Sequence, residues 1–396
     1  MLKIYIGPNG YGKTFAINKE IDELKKQDKE RKDILLLNSE IVFADEMKDT
    51  VNNSFVMEYL IGELLDNEEI SEARKNYESA LDKSIESNQQ IYNEIMEEVL
   101  KLNNQKRVKN VISPTPTKEY KKIVKINSDD LKNNMGSGQK LQFLLRLIQR
   151  SHKQFIYLDE PENHTHPSLL HVTAGLINDL SKTKDICVAT HSPDLLNLLD
   201  INFENLFIFN DPNFGEPKKI DFKSAIPLPS NIHIENLNNK SKSYFNVDTL
   251  KKNIIELHKK EFLNTLFSKK VYMVEGINDE LFIKKLLINY NKQYTQYSIF
   301  QSYGKPHFIH FIRIFQNLDI EVIPLFDKDN EKDDNNNAIN KEIKKCNIYL
   351  ESNTILENEI GYTGKKENTP DFIEYLDNFK DYEKYKYLVE EKKENV

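Results

Sequence analysis

The chain reads as an α/β protein with two successive layers of parallel strands covered by helices, and three stretches predict this. Leu2–Ile6 is a short apolar run that gives way to a glycine-rich loop. Residues 15–27 follow, with Ile17, Ile21 and Leu24 at helical spacing. Between 154 and 189, apolar strand-like runs alternate with amphipathic stretches, the pattern that sets strands parallel beneath helices. The same alternation begins again at Lys270.

Each element follows from its local pattern. Residues 2–6 predict a strand and 15–27 a helix. From about 46 to 107 the chain is charged, with Met57, Leu60, Ile61, Leu64 and Leu65, then Ile91, Ile95 and Leu100, at three- and four-residue intervals. This predicts a helical insertion. Residues 108–117 contain Pro114 and Pro116 and must be extended or looped. A helix is expected over 141–148, a strand over 154–158, a helix over 169–180 and a strand over 186–189. Residues 210–240 are rich in Pro, Asn and Lys without periodicity and read as a linker, followed by a connecting helix over 247–267. The second layer predicts a strand over 271–274, helices over 279–288 and 308–318, and a strand over 320–326. A charged, Asn-rich loop spans 330–340, and the tail from Tyr382 is a charged helix or a frayed end. The expected division is a first domain over 1–245, with its insertion at about 46–107, a connecting helix over 246–268 and a second domain over 269–396.

Composition narrows the function classes. A chain of 396 residues exceeds what one core serves, which predicts roughly two or three domains. Hydrophobic residues at 39% and charged residues at 30% fit a soluble globular class. No apolar run approaches the roughly 18 residues that span a bilayer, and the N-terminus does not read as a signal peptide. The only cysteines, Cys187 and Cys346, argue against a disulfide framework, exclude a cysteine zinc site and suit a reducing cytoplasm. With 63 acidic and 55 basic residues the net charge is -8, so the protein is no general binder of polyanions. It would meet nucleic acid through locally gathered cations or a bridging metal ion.

The N-terminal loop Gly7-Pro8-Asn9-Gly10-Tyr11-Gly12-Lys13-Thr14 fits G-x-x-x-x-G-K-[ST] at every fixed position. Around Asn9, Gly10 and Gly12 the backbone N–H groups can close on phosphate oxygens. Lys13 places a cation near the β- and γ-phosphates, and the Thr14 hydroxyl can ligate Mg²⁺. The strand Phe155-Ile156-Tyr157-Leu158-Asp159-Glu160 ends in two carboxylates. In a P-loop enzyme Asp159 would hold Mg²⁺ through water and Glu160 would polarise the attacking water. His191 follows another strand, Val188-Ala189-Thr190, within reach of a γ-phosphate. Met135-Gly136-Ser137-Gly138-Gln139 opens a helix with small residues, either as a second phosphate-contacting surface at Ser137 and Gly138 or as a simple N-cap.

In this order the elements resemble the ABC-type ATPases of the SMC-like group, with a D-loop-like stretch at 162–167. Gly136-Ser137-Gly138 is similar to the signature of OLD-family proteins and departs from the Ser-Gly-Gly of transporters. The resemblance implies ATP and Mg²⁺ as ligands. It also implies a homodimer or higher homo-oligomer, because the signature of one copy completes the nucleotide pocket of another.

In the second half, Val274-Glu275-Gly276 ends a strand, Asp279 starts the next helix, and Asp327-Lys328-Asp329 ends a later strand. Residues two apart in extended chain face one side, and strand ends at the top of a parallel sheet converge. Oxygen-only ligands suit Mg²⁺ or Mn²⁺. The arrangement resembles the Toprim domain of topoisomerases, primases and OLD-family nucleases. That resemblance implies Glu275 as a ligand or general acid/base, Asp327 and Asp329 as metal ligands, and a further acid at Glu357, with Glu359 as its rival. A late lysine near the cleaved phosphate would be Lys365 or Lys366.

An ABC-type ATPase with a helical insertion, followed by a Rossmann-like Toprim domain, is the OLD-family architecture. It implies a DNA substrate, a role in bacterial defence against phage and a partner protein or RNA from the same defence system. Three readings follow. One is a nuclease whose ATPase gates or senses DNA. Another is an SMC-like DNA-binding or repair clamp whose Toprim fold is a scaffold. The third is a regulatory ATPase that activates a partner.

Overall fold

The computed structural model describes residues 1–27, 33–38, 72, 76, 79–80, 125–126, 129–130, 137–163, 165–226, 246–290, 297–302, 305–328, 334–352, 355–364 and 368–390. The expected insertion over 46–107 lies outside them except at four helical positions, and the loop over 108–117 lies outside altogether. Along the chain run β1 (Leu2–Ile6), α1 (Lys13–Gln27), β2 (Ile34–Asn38), β3 (Lys125–Ile126), β4 (Asp129–Asp130), α2 (Ser137–Arg150), β5 (Phe155–Asp159) and α3 (Pro167–Ser181). Then come β6 (Asp185–Thr190), α4 (Pro193–Leu198), β7 (Leu206–Ile208), α5 (Phe222–Ala225), α6 (Val247–Leu257) and α7 (Lys259–Thr265). The last part holds β8 (Lys270–Val274), α8 (Ile277–Asn289), β9 (Tyr297–Gln301), α9 (Lys305–Asn317), β10 (Glu321–Asp327), α10 (Asp334–Ile343), β11 (Leu350–Ser352), α11 (Leu356–Glu359) and α12 (Thr369–Asn378). A 3-10 helix over Asp381–Leu388 follows. The chain divides into two compact units, Met1–Lys29 with Asp185–Val396, and Glu30–Lys184.

In the first unit β1 pairs in parallel with β6 on one side and β7 on the other, Ile6 standing opposite Thr190 and Ile208. Helix α1 buries Lys13, Ile17 and Ile21 and turns Lys19, Lys25 and Lys26 to solvent. The second sheet runs β11-β10-β8-β9, with every pairing parallel. All five residues of β8 are buried, as expected of a central strand covered on both faces. Aromatic rings pack beside the sheets: Phe203 meets Phe262 of α7 at 6.0 Å, and Phe311 of α9 meets Phe300 of β9 at 4.5 Å.

The connecting segment is two helices rather than one. His258 leaves helical geometry (φ -128, ψ 10) between α6 and α7, and its buried ring packs on Phe300 and Phe311. Residues Asp381–Leu388 of the tail form a 3-10 helix rather than a frayed end. Tyr382, Tyr385 and Leu388 recur every third residue, which suits a 3-10 turn, and all three are buried. The Tyr272 hydroxyl donates to the Leu388 carbonyl at 2.9 Å.

The second unit pairs β2 with β5 in parallel, Asn38 opposite Asp159. Helices α2 and α3 pack against each other, with Gly138 facing Leu169 and Thr165. Buried Lys184 donates to the carbonyls of Ser151 (2.8 Å) and Lys153 (2.6 Å), which satisfies the charge with peptide dipoles.

Strands β2, β3, β4, β7, β9 and β11 have no counterpart in the sequence expectations. Four of them are two or three residues long and too short for alternation to register.

Candidate nucleotide and metal sites

Strand β1 delivers the chain into the glycine loop, and α1 begins at Lys13. Three glycines of the loop take positive φ: Gly7 at 148, Gly10 at 82 and Gly12 at 94. Gly7 is also sterically required, since a Cβ would stand 2.2 Å from the Phe209 carbonyl oxygen. Buried Lys13 donates from Nζ to the carbonyls of Gly7 (2.8 Å) and Pro8 (3.0 Å), so its cation lies inside the turn. Asn9, Gly10 and Thr14 are exposed around it. The register of β6 on β1 brings His191 level with Gly7, one residue beyond the paired Thr190 and Ile6. Thr190 Oγ1 accepts the Ser192 N–H at 2.9 Å, and Ser192 Oγ caps α4 at the Leu195 N–H, 3.1 Å.

In the other unit Asp159 is buried at the end of β5. The next residue, Glu160, has φ 52, a left-handed backbone that a side chain adopts only under constraint. The constraint is visible. Asn163 donates from Nδ2 to Glu160 Oε2 at 2.7 Å, and its own N–H donates to the Glu160 carbonyl at 3.0 Å. Thr165 then turns back onto Glu162 and His166 caps α3. Ser137 opens α2 and Gly138 is buried against Thr165 and Leu169.

The carboxylates of the second half gather at the C-terminal edge of the β11-β10-β8-β9 sheet. Glu275 follows β8 and Asp327 ends β10. Glu275 Oε1 accepts the Asp327 backbone N–H at 3.1 Å across 52 residues of sequence. Asp279, in the first turn of α8, accepts the N–H groups of Gly276 (3.0 Å) and Glu275 (3.2 Å) on Oδ2. Burial, the charges of Asp327, Glu275 and Glu357, and only partial compensation by the Gly276 N–H push its pKa up to about 7. Glu357 is buried on α11 and accepts from buried Asn278 Nδ2 at 2.5 Å, whereas Glu359 on the same turn is exposed. Four carboxylates therefore share one field, and a divalent cation is what would offset their repulsion. The oxygen-only donor set fits Mg²⁺ or Mn²⁺. Among the described residues no three Asp, Glu, His or Cys side chains stand close enough to hold a metal ion. Asp329, Lys365 and Lys366 lie outside the described residues.

The sequence expectations gave Asp279 and Asn278 no functional role and placed Asn163 only within the D-loop-like stretch. Asp279 had a signal, an acid in the first turn after a Glu-Gly strand end; Asn278 had none, because its pairing with Glu357 is set by folding. Among the described residues no helix is long and apolar enough to cross a membrane.

A family model for an AAA domain, whose description names the AbiEii toxin and type IV TA systems, matches residues 18–197, beginning just after the glycine loop. A second, described as "Overcoming lysogenization defect protein-like, TOPRIM domain", matches residues 266–329, which spans β8 to the end of β10. No curated protein matches the chain. An ATPase domain precedes an OLD-like Toprim domain, and the chain is therefore an ATPase–Toprim fusion of the OLD type.

Proposed function

We propose that the chain binds and hydrolyses ATP and is a divalent-metal-dependent DNA endonuclease that nicks duplex DNA, acting in the cytoplasm as an effector of bacterial defence against phage. The ATPase occupies 1–245, the connecting segment 246–268 and the nuclease 269–396. The observation that carries the reading is the joining of two acidic strand ends, Glu275 on Asp327, inside a four-carboxylate field.

In the ATPase, Lys13 and the backbone of Asn9, Gly10 and Gly12 hold the phosphates, with His191 at the γ-phosphate. Thr14 and Asp159 hold the Mg²⁺ that accompanies the nucleotide, and Glu160 orients the attacking water. Ser137 and Gly138 complete the site of a second copy, so the active form is a homodimer or a higher homo-oligomer. In the nuclease, Glu275, Asp327, Asp329 and Glu357 would hold Mg²⁺ or Mn²⁺. When bound, the cation neutralises the scissile phosphate and lowers the pKa of water. Asp279 holds the Glu275 backbone in place, and Asn278 orients Glu357. With a net charge of -8, this edge of the protein would repel phosphate without the cation. A partner protein or RNA of the same defence system controls cutting.

The test is nicking of supercoiled plasmid by purified Glu275→Ala/Asp327→Ala with Mg²⁺ or Mn²⁺. Cutting should vanish in the variant and with chelator while ATP hydrolysis persists. Zinc should substitute poorly for Mn²⁺. Wild-type cutting by the double variant would transfer the assignment to an SMC-like DNA clamp with a Toprim scaffold.

A further inference from the structure

The loop that follows β7 carries a feature that neither packing nor the phosphate-binding residues account for. Phe214 is 62% exposed, and its backbone sits in the left-handed region at φ 59. A large apolar ring held in water on an unfavourable backbone is a cost without a structural return. The loop is also locally built. The Asn213 N–H donates to Asp211 Oδ1 at 2.8 Å, and the Phe214 N–H to the Asp211 carbonyl at 3.3 Å.

Its position is set by the sheet. Strand β7 runs parallel to β1, with Ile208 opposite Ile6, so both strands release the chain at the same edge. Ligands of parallel sheets bind at that edge, in the loops beyond the carboxyl ends of the strands. The Phe209 N–H donates to the Ile6 carbonyl at 2.8 Å, and the Phe209 carbonyl crowds Gly7, so the loop starts against the first glycine of the phosphate cradle. It returns to the cradle at the last one. A Cβ on Gly12 would stand 2.7 Å from Phe214 Cδ1, which places the ring in contact with the Gly12 backbone, next to Lys13.

We propose that Phe214 is the base-stacking residue of the nucleotide site, its exposed ring taking the purine of the ATP whose phosphates the glycine loop holds. An aromatic face beside a phosphate cradle recognises a flat, apolar, polarisable ring joined to a polyphosphate, which is the chemistry of a nucleoside triphosphate. The inference rests on the ATP-binding reading above and adds the residue that recognises the base.

The chain contains no tryptophan, so Phe214→Trp creates a single fluorescent reporter at the position in question. Equilibrium binding of Mg·ATP and of Mg·tripolyphosphate, which has no base, is measured for the full chain as wild type, Phe214→Ala and Phe214→Trp. Phe214→Ala should weaken ATP roughly ten-fold and leave tripolyphosphate within about two-fold. Phe214→Trp should bind ATP as wild type does, with an emission change on adding ATP and none with tripolyphosphate. Equal loss or gain of both ligands in Phe214→Ala would mean that the ring props or covers the phosphate loop, and this overturns the proposal. So does ATP binding that Phe214→Ala leaves unchanged. If the wild-type chain binds neither ligand, the nucleotide reading itself falls and this inference falls with it.

Discussion

Glu275 Oε1 accepts the backbone N–H of Asp327 at 3.1 Å, so the acid that follows β8 is hydrogen-bonded to the acid that ends β10. The bond needs an acceptor oxygen but no charge. Glu275→Gln should therefore fold as wild type, while Glu275→Ala should also lose about 1 kcal/mol of stability. Both should lose nicking. Asn278→Ala, which frees Glu357 from its buried partner, should weaken Mn²⁺ activation about 10–100-fold. Chemical denaturation and metal titrations of plasmid nicking measure these effects. Equal nicking by Glu275→Gln and wild type would contradict a ligand role.

The ATPase makes separable predictions. Lys13→Ala removes the cation that lies on the Gly7 and Pro8 carbonyls and should weaken ATP binding. Glu160→Gln should bind ATP and turn it over slowly. Asn163→Ala removes the Nδ2 donor on the Glu160 carboxylate, leaving the backbone bond in place, and should slow turnover without weakening binding. Ser137→Arg should lower turnover with folding intact, if one copy completes the site of another. Steady-state hydrolysis beside ATP titration separates the cases, and wild-type turnover by Glu160→Gln would remove that residue from the mechanism.

The tail is a stability element. Leu388 is fully buried, and its carbonyl accepts from Tyr272 in the core of the second sheet. Leu388→Ala should cost about 2–5 kcal/mol, and truncation after Lys380 more, since Tyr382 and Tyr385 leave the same cluster. Urea denaturation of the two variants measures this; an unchanged midpoint would mean that the tail contributes nothing.

Acid should unfold the protein partly through histidine. Burial, foremost, and Arg313 hold the His310 pKa below 6.5, with Nδ1 at 2.9 Å from the Ala225 carbonyl. Burial also lowers His258. A depressed histidine binds fewer protons folded than unfolded, so stability is fully present above the unfolded pKa. It falls as the pH drops from there through the depressed folded values. His310→Gln should flatten the stability profile in that window; a slope identical to wild type would assign the acid sensitivity elsewhere.

The amino-acid sequence alone determined the chemistry-bearing segments, because each is contiguous. A glycine loop between a strand and a helix, Asp159-Glu160 after an apolar strand, and Glu275 and Asp327 at strand ends are geometries that local backbone rules impose. The tertiary structure decided what depends on residues far apart in the chain. Glu357 rather than Glu359 faces Asn278 across 79 residues of sequence. Asp279 acquires its raised pKa only where folding buries it and sets three other carboxylates around it. The break at His258 and the burial of the tail answer to aromatic neighbours from other elements. Phe214 meets Gly12 only because β7 lies beside β1. Burial, charge repulsion and close approach are properties of the folded neighbourhood, and local periodicity does not encode them.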